Sequence, residues 1–270
     1  MELSLALESV VKSAGAIPAT IGVIKGKIKV GLELDEIEFL GKEKEIVKLS
    51  ARDLSYAITK NISGGTTVSA TLFISYKSGI KVFSTGGIGG VHRGWEEGIM
   101  DVSQDLTIMS QYEVVIISAG VKAILDIPKT IEYLETLGIP VVGYQTKKFP
   151  AFYSYDTPYE LSSYFMDINS LVEYLRIQSL LDQKKSILIL NPPPETLSIP
   201  FDEVQVYIKQ AVDDAKSAGI KGQGLTSYLL KQVNHYSQGR TLRSNKSLLL
   251  NNAKLGSQLT IALSNIQHPG

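Results

Sequence analysis

The feature that most constrains the fold is an alternation of short β-branched runs with segments of helical period, repeated between residues 20 and 190. A strand that returns parallel to its neighbour needs a crossover of a dozen or more residues, so this order of segments points to a sheet covered by helices. Residues 20–24 and 27–31 flank Lys25-Gly26, which reads as a hairpin turn. Residues 34–40, 54–58 and 66–77 read as helices, the last stopped by Gly79. Residues 80–84 then read as a buried strand that delivers a glycine-rich loop. A second unit follows, with 114–118 as strand, 122–125 opening a short helix, 129–137 as a helix capped by Gly138, and 140–144 as strand. Further on, 186–190 reads as a strand ending at Asn191 and three prolines, and 201–218 and 247–263 as long helices. With no internal repeat and no low-complexity linker, residues 1–270 are expected to form one α/β/α domain with a mixed central sheet and a helical C-terminal portion. Strand ends give way to polar or glycine loops at Thr85, Ser118, Tyr144 and Asn191, and in open α/β sheets ligands bind at such carboxyl ends.

Composition narrows the partners. The 27 basic residues are matched by 27 acidic ones, so the basic excess that neutralises phosphates in a nucleic-acid binder is missing. Without cysteine there is neither a disulfide framework nor a thiolate metal site. No apolar run approaches the ~20 residues that span a bilayer. The N-terminus also lacks a signal-peptide pattern, so a cytoplasmic location and a small-molecule substrate are expected.

The densest chemical signal is Thr85 to Gly94, TGGIGGVHRG, in which four glycines in the five positions 86–90 let backbone amides approach a ligand and His92 and Arg93 add donors. An anion such as phosphate is the expected guest, although the same glycines suit a tight crossing of loops. The spacing is neither that of a P-loop nor that of a dinucleotide fingerprint. In MDVSQDL, Asp101 and Asp105 lie four apart and would share a helical face, suiting a hard divalent cation; a helix cap by Asp101 or Ser103 is the alternative. In SAGVKAILD, Lys122 follows a strand and sits among Val121, Ala123 and Ile124. Such neighbours can desolvate an ammonium whose ordinary pKa of about 10.4 otherwise keeps it from attacking carbon. Asn245 and Asn252 read either as ligand-facing residues or as helix caps, and Thr66-Thr67 as a cap or as phosphate-binding hydroxyls.

These segments, taken in order with ALES at Ala6, GAIPATI at Gly15, KLSARDL at Lys48, GGTTVSAT at Gly64, GYQTKKFPAF at Gly143, LNPPPE at Leu190 and LRSNKSLLLNNA at Leu242, span nearly the whole chain. They resemble the pseudouridine-5'-phosphate glycosidase, or indigoidine synthase A-like, family. The resemblance implies reversible cleavage of a carbon–carbon glycosidic bond to uracil and ribose 5-phosphate, with manganese or another divalent cation, in a homotrimer. It implies Lys122 as covalent nucleophile forming an imine with the ring-opened sugar, and Glu8 as proton donor. It also implies Asp101 as metal ligand, and Lys48, Val68, Ser103, Gln104 and Asp105 as substrate contacts. The family pattern has alanine at the position of Gln104, which favours a backbone contact there. His92 and Arg93 near the phosphate, and Asn245 near the base or sugar, are further expectations from their positions in the motifs.

One departure concerns Glu8. In the family, ALES runs into a Thr-Ile-Ile-Ser-His-Gly-Met-Pro type loop and most of a helix, whereas here Ser9 is followed at once by Val10. Glu8 is nevertheless expected to end a strand. Two other functions share the same residues: a phosphosugar aldolase or lyase using Lys122, and a catalytically silent protein that binds a phosphosugar or nucleotide.

Overall fold

The computed structural model describes residues 2–93, 101–220 and 223–267. Its elements in chain order are α1 (Glu2–Ser13), β1 (Ile21–Ile24), β2 (Lys27–Val30), α2 (Leu34–Lys42), β3 (Val47–Leu49), α3 (Leu54–Thr59), β4 (Gly64–Thr66), α4 (Val68–Lys77), β5 (Val82–Ser84), α5 (Gln104–Met109), β6 (Val115–Ser118), α6 (Ile127–Thr136), β7 (Val141–Tyr144), β8 (Tyr164–Phe165), α7 (Ile168–Leu180), β9 (Ile187–Leu190), α8 (Phe201–Ser217), α9 (Gln223–Tyr236) and α10 (Arg240–Gln267). Gly94 and Met100, which end and begin two of the motifs above, lie outside the described residues.

The strands form two sheets. The central one runs β5-β6-β9-β7-β8, and every pair in it is parallel. The mixed sheet is a smaller one, β2-β1-β4-β3, in which β1 is antiparallel to both neighbours and β3 is parallel to β4. All four residues of β9 are buried, the mark of a strand with protein on both faces. Alternation sorts its side chains: Ile187 and Ile189 pack with Ile117, Val142, Leu171, Leu175, Leu255 and Leu259, against α7 and α10. Leu188 and Leu190 face the other way, with Ile116, Leu106, Leu134, Val204 and Ile208, against α5, α6 and α8. The α/β/α layering expected from the sequence is therefore present. Helix α4 joins the two sheets, since Leu72 enters the central core while Ala70 and Ile74 pack with Val23 and Leu49 of the smaller sheet and Leu54 of α3.

Local chemistry explains several boundaries. Lys25 and Gly26 adopt φ 46° and 73°, the two positive angles of a hairpin turn that matches strand twist. Thr67 caps α4 by accepting from the Ala70 amide, and the Thr66 hydroxyl donates to the Ile21 carbonyl, so this threonine pair is structural. Three expectations need correcting. Residues 122–125 form a turn closed by Leu125 N–H donating to Lys122 C=O, because Asp126 caps a helix that begins only at Ile127. Asp101 and Asp105 share no helical face, because Ser103 is the cap of α5 and Asp101 precedes it. Glu8 does not end a strand: α1 runs unbroken through Ser9 and Val10, with Glu8 paired to Lys12 one turn on at 3.3 Å.

Candidate active site

The loops after β5 and β6 run side by side at the carboxyl edge of the central sheet, joined by a backbone ladder. Ala119 N–H donates to Gly86 C=O, Ile88 N–H to Gly120 C=O, Lys122 N–H to Ile88 C=O, and Asp126 N–H to Val91 C=O. This ladder fixes the main chain of Lys122. Val121 and Ala123 are fully buried and Ile124 nearly so, and that burial holds the Lys122 amine below the usual lysine range. The cation of Lys48, on β3, pushes in the same direction, while the carboxylate of Asp105 opposes both. Lys48 and Asp105 are thus both brought within the field of Lys122.

Asp105 is almost completely buried at 4 % exposure. Its Oδ1 accepts the Ser69 amide and its Oδ2 the Gly89 amide, each at 2.8 Å, so one side chain ties the start of α4 to the glycine loop. Ser103 accepts the Asp105 amide through Oγ and lies against Gly89, where an added Cβ would come within 2.2 Å of that oxygen. Gln104 turns elsewhere: its Oε1 accepts the Arg52 amide in a shallow outer hollow with Phe73 and Tyr112. Asp101 is more than half exposed, with its carboxylate 3.9 Å from His92 Nε2, while the His92 amide donates to the Asp101 carbonyl. No group of three or more His, Cys, Asp or Glu side chains that could hold a metal occurs among the described residues. Asp101 supplies one exposed carboxylate, a hard oxygen donor of the kind that suits a cation keeping most of its waters.

The glycine loop is a close-packed crossing of chains. None of Gly86, Gly87, Gly89 and Gly90 has a positive φ, and the amides of Ile88, Gly89, Val91 and His92 all donate within the protein. Each glycine instead seats another chain: Leu248 and Leu249 against Gly86, Phe152 against Gly87, Ser103 and Asp105 against Gly89, and Thr130 against Gly90. Arg93 is also committed to the fold, since its Nε donates to Ile124 C=O at 3.1 Å and a terminal nitrogen to Gln205 Oε1 at 2.8 Å. These contacts are with the protein itself, so the phosphate role expected of Arg93 is not part of them. Asn245 is brought to the mouth of β5, its Oδ1 facing Gly86. Asn252 is fully buried, bonded to Asn191 and to the Thr85 carbonyl, and so faces no ligand.

A cleft of about 1000 Å³ opens beside this edge. Its walls include Glu8 from α1, Thr20, Val68, and the outer edge of β5 from Val82 to Thr85, whereas Lys122, Asp105, Lys48 and Asp101 are not among its lining residues. Glu8 and Val68 therefore share this cleft, which Lys122, Lys48 and Asp105 do not line. Sequence reasoning missed three features that hold the site. Arg93 bonds across 112 positions in sequence. Phe152 is held at φ 61° with its ring on Gly87. Gly120, at φ 91°, allows the Pro150 carbonyl to approach within 2.0 Å of where a Cβ would stand. Only Gly120, next to the lysine in the motif, carried a readable signal.

Comparison with known proteins agrees with this fold. The family described as indigoidine synthase A like protein matches residues 1–262. The chain belongs to that family. Among its relatives is a pseudouridine-5'-phosphate glycosidase from Alkaliphilus metalliredigens, 44 % identical over 263 residues, covering 97 % of this chain and 85 % of that protein. Another, from Caldanaerobacter subterraneus, is 42 % identical over 266 residues, covering 98 % of this chain and 86 % of its own. Among solved structures, the prealnumycin C-glycosynthase AlnA in complex with ribulose 5-phosphate superposes with a TM-score of 0.92 at 35 % identity, over 98 % of this chain and 87 % of that one. An indigoidine synthase A-like protein from Thermotoga maritima gives 0.89 at 35 % identity, over 97 % and 86 %.

Proposed function

We propose that this family member is a pseudouridine-5'-phosphate glycosidase that cleaves the C-glycosidic bond reversibly through an imine at Lys122. The observation that carries the reading is the lysine at the carboxyl edge of a parallel sheet whose amine is held below its ordinary pKa by burial, in a chain 44 % identical to a protein of that name.

The chemistry requires such an amine. An ordinary glycosidase protonates a leaving oxygen, but here the leaving atom is a ring carbon without a lone pair. In this reading the Lys122 Nζ attacks C1 of the ribose and the ring oxygen departs with a proton, leaving an open-chain amine. The nitrogen lone pair then forms the C=N bond as the bond from C1 to uracil breaks, and uracil carbon takes up a proton. Water hydrolyses the imine to ribose 5-phosphate and the free lysine. Glu8 is the proposed proton donor, acting from the cleft that Val68 also lines. Asp105 holds the Gly89 and Ser69 amides in place and faces the ammonium form of Lys122. Ser103, Lys48, the Gln104 main chain, His92 and Asn245 are proposed to contact the substrate.

Asp101 would hold manganese or another divalent cation, whose bound charge would favour the anionic phosphosugar. If activity survives exhaustive chelation, that assignment fails. The reading also includes a homotrimer in the cytoplasm; among the described residues no helix is long and apolar enough to cross a membrane. Light scattering on the purified protein tests the trimer. The activity itself is tested by supplying uracil with ribose 5-phosphate and following pseudouridine 5'-phosphate by chromatography. Formation that disappears in Lys122→Ala is expected, whereas no uracil-dependent product from folded, metal-supplied protein would overturn the reading.

A further inference from the structure

The turn after Lys122 leaves carbonyls that the main chain does not satisfy. Between the ladder bonds of Lys122 N–H to Ile88 C=O and Asp126 N–H to Val91 C=O, the C=O groups of Ala123 and Ile124 receive no main-chain donor among the described residues. Both residues are buried, so these carbonyls need a partner from elsewhere. Arg93, two residues past the last rung at Val91, supplies it: Nε donates to Ile124 C=O at 3.1 Å and a terminal nitrogen reaches Ala123 C=O at 3.5 Å. The same nitrogen donates to Gln205 Oε1 on α8 at 2.8 Å. Gln205 Nε2 is buried without a partner among the described residues. That amide therefore keeps its oxygen on Arg93.

We propose that Arg93, anchored by Gln205, is a positioning residue for Lys122: it fixes the turn 122–125 and thereby sets where the amine stands relative to Asp105 and Lys48. A guanidinium suits this task because its fork bonds several oxygens in fixed directions and stays charged at every working pH. Among the described residues, Asp126 and Tyr159 are the titratable groups in its own field. Among the same residues, those in the field of Lys122 are Asp105 and Lys48. The proposal builds on the reading of Lys122 as nucleophile, but it concerns the amine's position and can be read without substrate.

The first measurement is the pH dependence of reductive methylation at each lysine by formaldehyde and cyanoborohydride, read by peptide mass spectrometry, with exposed Lys44 as internal control. In the unaltered protein Lys122 reacts with a midpoint below the ordinary lysine range. Arg93→Met, and independently Gln205→Leu, move the Lys122 midpoint toward the ordinary lysine value and leave Lys44 unchanged, and ethylguanidine added to Arg93→Ala restores it. The second measurement is borohydride trapping with ribose 5-phosphate. Loss of a geometry set to within about an ångström slows it by on the order of 100-fold in Arg93→Met, with half-saturation changed less than about threefold. If instead both variants, folded by circular dichroism, methylate Lys122 with the unaltered profile, the positioning role is overturned. It is also overturned if trapping is lost wholly through half-saturation, since Arg93 then acts as a phosphate ligand. Should the unaltered protein trap no sugar at all, the imine reading fails, while the methylation profiles still decide the role of Arg93.

Discussion

Replacing Asp105 by asparagine separates what this carboxylate does for the fold from what it does to the lysine. The two are predicted to move in opposite directions. The carboxylate accepts two amides, from Ser69 and Gly89, at 2.8 Å each and at 4 % exposure. An asparagine can accept only one, and its NH2 then faces a second N–H with no acceptor between them. Losing one charge-assisted bond costs about 1.5–3 kcal/mol, and the buried amide left without a partner costs about 1–3 kcal/mol more, so the loss is roughly 2.5–6 kcal/mol. At about 2–4 °C per kcal/mol for a chain of this order of size, the melting temperature falls by roughly 10 °C. The same change removes the group that raises the Lys122 pKa, leaving burial and Lys48, which lower it. Borohydride trapping of ribose 5-phosphate, normalised to folded protein, therefore extends to lower pH in Asp105→Asn than in the unaltered enzyme. Urea denaturation at constant pH supplies the first number and a trapping series from pH 6 to pH 10 the second. A variant within about 0.5 kcal/mol of the unaltered protein, or one whose trapping profile moves to higher pH, refutes the reasoning.

Lys122→Met is expected to be more stable than the unaltered protein at neutral pH. The folded-state pKa is lowered, so the fold disfavours the ammonium form fully below that pKa, and the penalty fades as pH rises toward the unfolded value of about 10.4. Denaturation at pH 7 and pH 10.5 checks this, and a gain that fails to shrink contradicts it. Gly120→Ala places a Cβ at 2.0 Å from the Pro150 carbonyl at φ 91° and is expected not to fold stably. Gly41→Ala in α2, where nothing lies within 4 Å, is expected to gain about 0.5–1 kcal/mol; equal melting temperatures for the two would be inconsistent with the close-packed loop crossing. Glu8→Gln is expected to keep sugar trapping at Lys122 and lose release of uracil, whereas full turnover in this variant would remove Glu8 as proton donor.

What could be read from the sequence depended on how local the cause was. The Lys25-Gly26 turn, the Thr67 cap and the apolar runs of β6 and β9 follow from chemistry within a few residues, and all are present. The desolvation of Lys122 was legible for the same reason, since its buried neighbours are adjacent in the chain. The glycine loop was not, because four glycines serve an anion nest and a crowded crossing equally well in composition; the sign of φ and the seated side chains distinguish them. Leu3, Leu5 and Leu7 alternate as in a strand, yet the Glu8–Lys12 pair and the helical formers around it give α1. Arg93 lay beyond any local rule, because its partners on the 122–125 turn and on α8 are defined only by the folded chain.

The central claim is a covalent one and can be tested directly. Protein treated with ribose 5-phosphate and borohydride, then digested and sequenced by mass spectrometry, is predicted to carry one reduced pentose phosphate on Lys122, absent in Lys122→Ala. A folded, metal-supplied protein that carries no adduct, or carries it on another lysine and keeps it in Lys122→Ala, would contradict the account.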